Sequence, residues 1–212
     1  MSATVDESPP ATTAEKTFIM EVVGVFLFYA RMVDSTMLPI VTFISKKQSK
    51  PTKKTLEATH QLLDYAACHP NHKVTFRACD MQLRVQSDGS HFSQEKAGSI
   101  VGGLHYCCNV DDGPQIINGT ILAICSTITT VCGSASETEY ASLYINGQHA
   151  YFERTILAAL HYPQQPITIY ADNIAAVGVS NDTVKLKNAL PLDPRPYPPK
   201  NFQRHLVDRK HE

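Results

Sequence analysis

The sequence has almost no net charge, no paired-cysteine motif and no long apolar run, and each absence excludes something. Its 19 Lys and Arg nearly balance 20 Asp and Glu, leaving a formal charge of -1. No strong basic field therefore marks a tight polyanion binder, because phosphate affinity comes largely from Lys and Arg releasing counterions. Lys185 with Lys187 is a local exception. The cysteines are Cys68, Cys79, Cys107, Cys108, Cys125 and Cys132, and no two have the Cys-x-x-Cys spacing of zinc or redox sites. Adjacent residues on a strand point to opposite faces, so Cys107 and Cys108 cannot chelate one ion together. All six are expected to be buried, reduced thiols of an intracellular protein, cytoplasmic or nuclear. The apolar stretch over residues 18–30 is too short to span a bilayer and carries Glu21. Residues 1–16 are polar and acidic with Pro9-Pro10, and lack a signal peptide's charge pattern; a disordered leader is expected there. No internal repeat is visible.

What is present is the composition of a soluble globular chain, 43% hydrophobic and 18% charged, able to bury a core. A length of 212 residues favours one domain with appendages. Over residues 17–72 the pattern is helical. Apolar residues crowd the stretch from Phe18 towards Met32, and Ser35 and Thr36 offer caps for a short second helix that tolerates Pro39 in its first turn. A third helix follows Pro51-Thr52, with Leu56, Leu63 and Ala67 near one face, and closes at Cys68-His69-Pro70. This small all-helical segment carries no obvious chemistry.

The texture changes near Val74. Leu83, Val85 and Ser87 alternate with Arg84, Gln86 and Asp88, a strand pattern. Residues 99–108 read as a second strand, where Gly102-Gly103 suggests a bulge or a close backbone approach. Asp111-Asp112-Gly113-Pro114 and Asn118-Gly119 mark turns before a third strand at residues 120–127. A long helix is expected over residues 134–160, then a buried strand at 167–171 and a short helix through Ser180. A strand that returns after a helix tends to lie parallel to an earlier one. The expected fold class is thus α/β over residues 73–190, a mixed sheet of an antiparallel three-strand meander plus a parallel strand. Beyond residue 190, Pro191, Pro194, Pro196, Pro198 and Pro199 forbid regular structure, leaving an irregular tail at 191–212.

Three carboxylates fall at the ends of these elements: Asp88 on the first strand, Glu139 early in the long helix and Asp172 after the fourth strand. If the first and fourth strands are parallel neighbours, Asp88 and Asp172 emerge together, and the crossing helix brings Glu139 to them. Such a cluster repels itself unless cations neutralise it, and an all-oxygen set suits Mg2+ or Mn2+. Two such ions about 4 Å apart would activate a water and stabilise the leaving oxygen of a phosphodiester. Blander roles stand beside this one. Asp88 before Gly89 is a common turn pair. Glu139 could close a capping box with Ser136, although Ser134 with Glu137 makes the same box and leaves Glu139 over. Asp172 could simply cap a helix.

The ordered series of motifs resembles the ribonuclease H region of copia-type retrotransposon polyproteins, with the connection segment that follows their reverse transcriptase. The likeness runs from Val22-Val23-Gly24-Val25-Phe26-Leu27-Phe28-Tyr29-Ala30-Arg31 through Asp34-Ser35-Thr36-Met37-Leu38-Pro39 to Gln61-Leu62-Leu63-Asp64-Tyr65-Ala66-Ala67. It continues in Ser87-Asp88-Gly89-Ser90, Lys96-Ala97-Gly98-Ser99-Ile100-Val101-Gly102-Gly103, Ser134-Ala135-Ser136-Glu137-Thr138-Glu139-Tyr140-Ala141 and Asp172-Asn173-Ile174-Ala175-Ala176-Val177-Gly178, ending near Asn181-Asp182-Thr183-Val184-Lys185. The resemblance implies an RNase H-like fold and an endonuclease that hydrolyses the RNA strand of RNA–DNA hybrids with Mg2+ or Mn2+. It implies metal-binding and catalytic roles for Asp88, Glu139 and Asp172. An RNA–DNA hybrid and a reverse transcriptase domain are the implied partners.

Departures from the family pattern are specific. Asp88-Gly89-Ser90 replaces the family's usual Asp-Ala-Ser and looks like cellular ribonucleases H. Asp193, in Leu192-Asp193-Pro194-Arg195, stands where a fourth metal-binding acid belongs, but Pro196, Pro198 and Pro199 break the helix that would carry it. The fold's final strand and helix are not evident, so a C-terminally truncated domain is expected. Ser90 and Asn173, beside the acids, are candidates for contacting the hybrid's backbone or its 2′-hydroxyls, although such residues more often serve turns and caps. His91 and His105 are expected to be structural. The alternative to the enzyme is an inactive RNase H-like remnant of a retrotransposon polyprotein.

Overall fold

The computed structural model describes residues 6–93, 98–113 and 116–173, together with Ala176 and Gly178. Lys185, Lys187, Asp193, most of the helix expected through Ser180 and the proline-rich tail lie outside the described residues.

Three helices come first: α1 (Thr13–Met32), α2 (Leu38–Lys47) and α3 (Lys53–Cys68), with a 3-10 turn at Ser35–Met37. Helix α1 begins within the stretch expected to be a leader. A capping box between Thr12 and Glu15 starts α1 at Thr13, and Lys53 Nζ lies 2.6 Å from Glu15 Oε1. Pro10 bridges to Thr52, the N-cap of α3, and Asp6 Oδ2 accepts from the Thr52 hydroxyl at 2.6 Å. The polar character that suggested disorder is used in caps and ion pairs between the first residues and α3. Asp34 ends the α1 connection, accepting from the Thr36 N–H at 3.1 Å, and Pro39 sits in the first turn of α2.

The sheet follows in β1 (Gln82–Ser90), β2 (Ser99–Cys108) and β3 (Thr120–Ile128), then α4 (Ala135–Ala159) and the short β4 (Thr168–Tyr170). Its order is β3-β2-β1-β4, with β1–β2 and β2–β3 antiparallel and β1–β4 parallel. This is the mixed α/β sheet expected, a three-strand meander joined by a parallel strand. Asp88 pairs with Gly102 inside β1, so its Asp-Gly pair is strand and not a turn. The only irregularity in the β2–β3 ladder falls between His105 and Tyr106, not at Gly102-Gly103. Gly103 serves the other expected purpose: a Cβ there would collide with Asn146 Oδ1 of α4.

The two sides of the sheet are covered differently. Ile19, Val22, Val41, Ile44 and Leu62 of the helical segment form one cluster with Ala123 of β3, joined by Leu104 and Cys125. The helical segment thus shares a core with the sheet. On the other side Leu83, Val85 and Cys107 pack with Leu143, Ala150 and Leu157 of α4. Cys107, Cys108 and Cys132 are buried as expected, and burial pushes the Cys107 thiol up to about 11. Cys79 and Cys125 are only half-buried, and Cys68 departs furthest from expectation: it ends α3 and is exposed. All six thiols are free. Among the described residues no helix is long and apolar enough to cross a membrane.

Candidate metal centre

The parallel pairing of β1 with β4 decides where the acids go. Arg84, Val85 and Gln86 pair with Thr168, Ile169 and Tyr170, so both chains run out at the same end of the sheet, with Asp88 and Asp172 each two residues further on. Glu139 arrives from α4. Gly89 lets it come close: a Cβ at that position would lie 2.9 Å from the Thr138 carbonyl and 3.1 Å from the Glu139 backbone. Asp88, Glu139 and Asp172 each offer an oxygen within 4.8 Å of the others, an arrangement that could hold a metal ion.

Their environments differ. Asp88 and Asp172 are exposed, whereas Glu139 is only 7% exposed and its Oε2 has no hydrogen-bond partner. Burial raises the Glu139 carboxyl to about 7, helped by the negative charges of Asp88 and Asp172, while a hydrogen bond from the Gly89 N–H acts in the opposite sense. None of the three carboxylates has a Lys, Arg or His ion-pair partner among the described residues. A buried, unpartnered carboxylate oxygen facing two further acids is an unfavourable arrangement for the protein alone. A divalent cation would remove both the repulsion and the unmet acceptor, and oxygen donors suit a hard ion. The residues fit such a group.

The blander roles fall to neighbouring residues. Ser134 Oγ accepts from the Glu137 N–H at 3.2 Å, and Glu137 Oε2 accepts from the Gly133 N–H at 2.7 Å, so Glu137 serves the helix start and Glu139 does not. After β4 it is Asn173 that caps, its Oδ1 accepting from the Ala176 N–H at 3.1 Å. Asn173 therefore has the local role that competed with substrate contact. Ser90 is exposed at the end of β1, and its hydroxyl has no partner among the described residues. His91 Nδ1 lies 2.8 Å from Thr138 Oγ1, a contact that ties the end of β1 to α4. Asp193 lies outside the described residues.

A buried polar chain behind the acids was not anticipated from the sequence. Ser142 Oγ donates to the Asp88 carbonyl at 2.6 Å, and Ser87 Oγ lies 3.1 Å from Ser142 Oγ. Asn146 Nδ2 is 3.0 Å from Ser87 Oγ and also 3.0 Å from the Gly102 carbonyl. Those donations turn Asn146 Oδ1 towards His105 Nε2, at 3.1 Å, while His105 Nδ1 meets Glu153 Oε2 at 2.6 Å. His105 is fully buried, as a structural histidine should be. The available signals were Ser87 on the inward phase of β1 and Asn146 seven residues, two helical turns, after Glu139. Neither residue type announces a partner by itself. No protein-family model matches this chain, and no curated protein matches it.

Proposed function

We propose that this chain is a metal-dependent endonuclease of the ribonuclease H type, of copia-type retroelement origin, that hydrolyses the RNA strand of RNA–DNA hybrids. The convergence of Asp88, Glu139 and Asp172 within 4.8 Å supports this reading most directly. It joins the ordered motif resemblance and a sheet whose parallel β1–β4 pair delivers two aspartates to one end. Mg2+ or Mn2+, when bound, would supply charge neutralisation at the scissile phosphate and a more acidic attacking water.

The chain's own residues do the positioning. Asp88 and Asp172, exposed beyond the strand ends, would supply two of the oxygens that hold such an ion. Glu139, buried, would supply the third oxygen, on giving up the proton that burial helps it retain. Ser142 and Asn146 fix the backbone on both sides of Asp88, through its own carbonyl and that of its cross-strand partner Gly102. The Ser90 hydroxyl, two residues after Asp88 and exposed, would contact the substrate backbone or a ribose 2′-hydroxyl, which distinguishes RNA from DNA. A reverse transcriptase domain is the partner that fits the origin proposed.

The test is incubation of purified protein with end-labelled RNA–DNA hybrid and Mg2+ or Mn2+, beside Asp88→Asn and Glu139→Gln. Cleavage by the wild type, reduced about 10³-fold or more in either variant, is the expected result. Equal silence from all three proteins would reject the enzyme and leave the inactive remnant of the same fold.

A further inference from the structure

A second feature lies away from the acids. The last turn of α1, residues 72–75 and the turn leading into β3 line an open cleft of about 290 Å3, near the lower end of ligand-sized cavities. Arg31, His72 and Lys73 line it together with Ser35, Thr75 and Thr120, and among the described residues no Asp or Glu does. Neither Arg31 nor Lys73 has a carboxylate partner among the described residues. The adjoining acid, Asp34, is turned inward at 1% exposure, and its Oδ2 lies 3.7 Å from His72 Nδ1. That contact orients His72 and leaves its Nε2 without a partner among the described residues.

We infer that this cleft is a binding site for a phosphate group. Two basic side chains, an oriented imidazole and hydroxyls around a hollow that no described carboxylate lines match a tetrahedral oxyanion, which takes charge-assisted hydrogen bonds from several directions at once. The phosphate is carried either by a nucleic-acid backbone or by a small phosphorylated ligand. Thr120 pairs with Tyr106, and Tyr106 with Arg84, four residues before Asp88 on β1. The cleft is therefore roughly 15 Å from the acids by strand geometry. At about 3.4 Å per nucleotide, a strand touching both places would span four to five nucleotides. The inference does not rest on the metal-site reading, since no element of the cleft carries Asp88, Glu139 or Asp172.

The experiment is an amide chemical-shift titration of the full chain without divalent metal, with inorganic phosphate in one arm and an RNA–DNA hybrid longer than about five base pairs in the other. The wild type should show saturable shifts confined to residues 31–35, 72–75 and 117–120 in the phosphate arm. Arg31→Ala/Lys73→Ala should weaken that binding about tenfold or more, while Arg31→Lys/Lys73→Arg retains most of it. If the hybrid moves the same amides and the alanine double variant lowers its salt slope by about one, the phosphate belongs to the nucleic-acid backbone. If inorganic phosphate alone moves them, it belongs to a small ligand. Absence of localised shifts in both arms, or equal affinity in wild type and the alanine variant, overturns the site. Cleavage is not read here, so failure of the endonuclease would not be mistaken for failure of the cleft.

Discussion

The two coverings of the sheet hold it by different physics. On the α1–α3 side the contact is apolar, with Ile19, Val41 and Ile44 fully buried against one another near Ala123. On the α4 side the apolar cluster gives way, towards the acids, to the Ser87–Ser142–Asn146–His105 chain. Apolar area stabilises without specifying much, whereas directional hydrogen bonds favour one placement of a helix on a sheet. The second kind occurs where Glu139 must be held beside Asp88. Stability and site geometry are thus carried by different interfaces and can be broken separately.

The largest stability effect is expected on the apolar side. Ile44→Ala should cost about 3 kcal/mol through lost burial and the cavity left behind. Divalent-ion affinity of the remaining folded protein should barely change, as read by denaturant unfolding and by metal titration. Asn146→Ala should cost less, about 2 kcal/mol, because it takes a buried hydrogen-bond partner from the Ser87 hydroxyl, the Gly102 carbonyl and His105 Nε2. Unlike Ile44→Ala, it should also weaken metal binding severalfold. Equal loss of metal affinity in both variants would erase the distinction between the interfaces.

A smaller effect follows from Glu139. Folded, its carboxyl holds a proton up to about pH 7, whereas its ordinary value is 4.5. Between those values the unfolded chain has released a proton that the folded one keeps, so metal-free stability falls as pH rises. The full shift corresponds to about 3 kcal/mol, and solvent screening at the exposed Asp88 and Asp172 reduces the expected loss to roughly 1–2 kcal/mol between pH 4.5 and 7, after which it levels off. Glu139→Gln should flatten that decline, and saturating Mg2+ should reverse it in the wild type. Chemical denaturation across this pH range checks both.

Much of the architecture was legible because it is written in local periodicities. The alternation at Leu83, Val85 and Ser87, the turn residues before β3 and the cap at Ser134 each specify their element directly. The acids were legible because each lies near an element's end, and topology alone then gathers them. The α1 start was not, since Thr12 and Glu15 look like leader until α3 supplies Lys53. Nor was the exposure of Cys68, which depends on which face of α3 meets α2. The polar chain behind Asp88 was hidden for the same reason: Ser87, Asn146, His105 and Glu153 are far apart in sequence, and only the packed fold makes them partners.

Manganese binding by the metal-free chain, followed by loss of the free-ion paramagnetic signal, tests the site without requiring turnover. Wild type should bind in a saturable manner, and Asp88→Asn, Glu139→Gln and Asp172→Asn should each weaken binding about tenfold or more while remaining folded. Undiminished binding in all three variants, or none in the wild type, would contradict a cation site built from these acids.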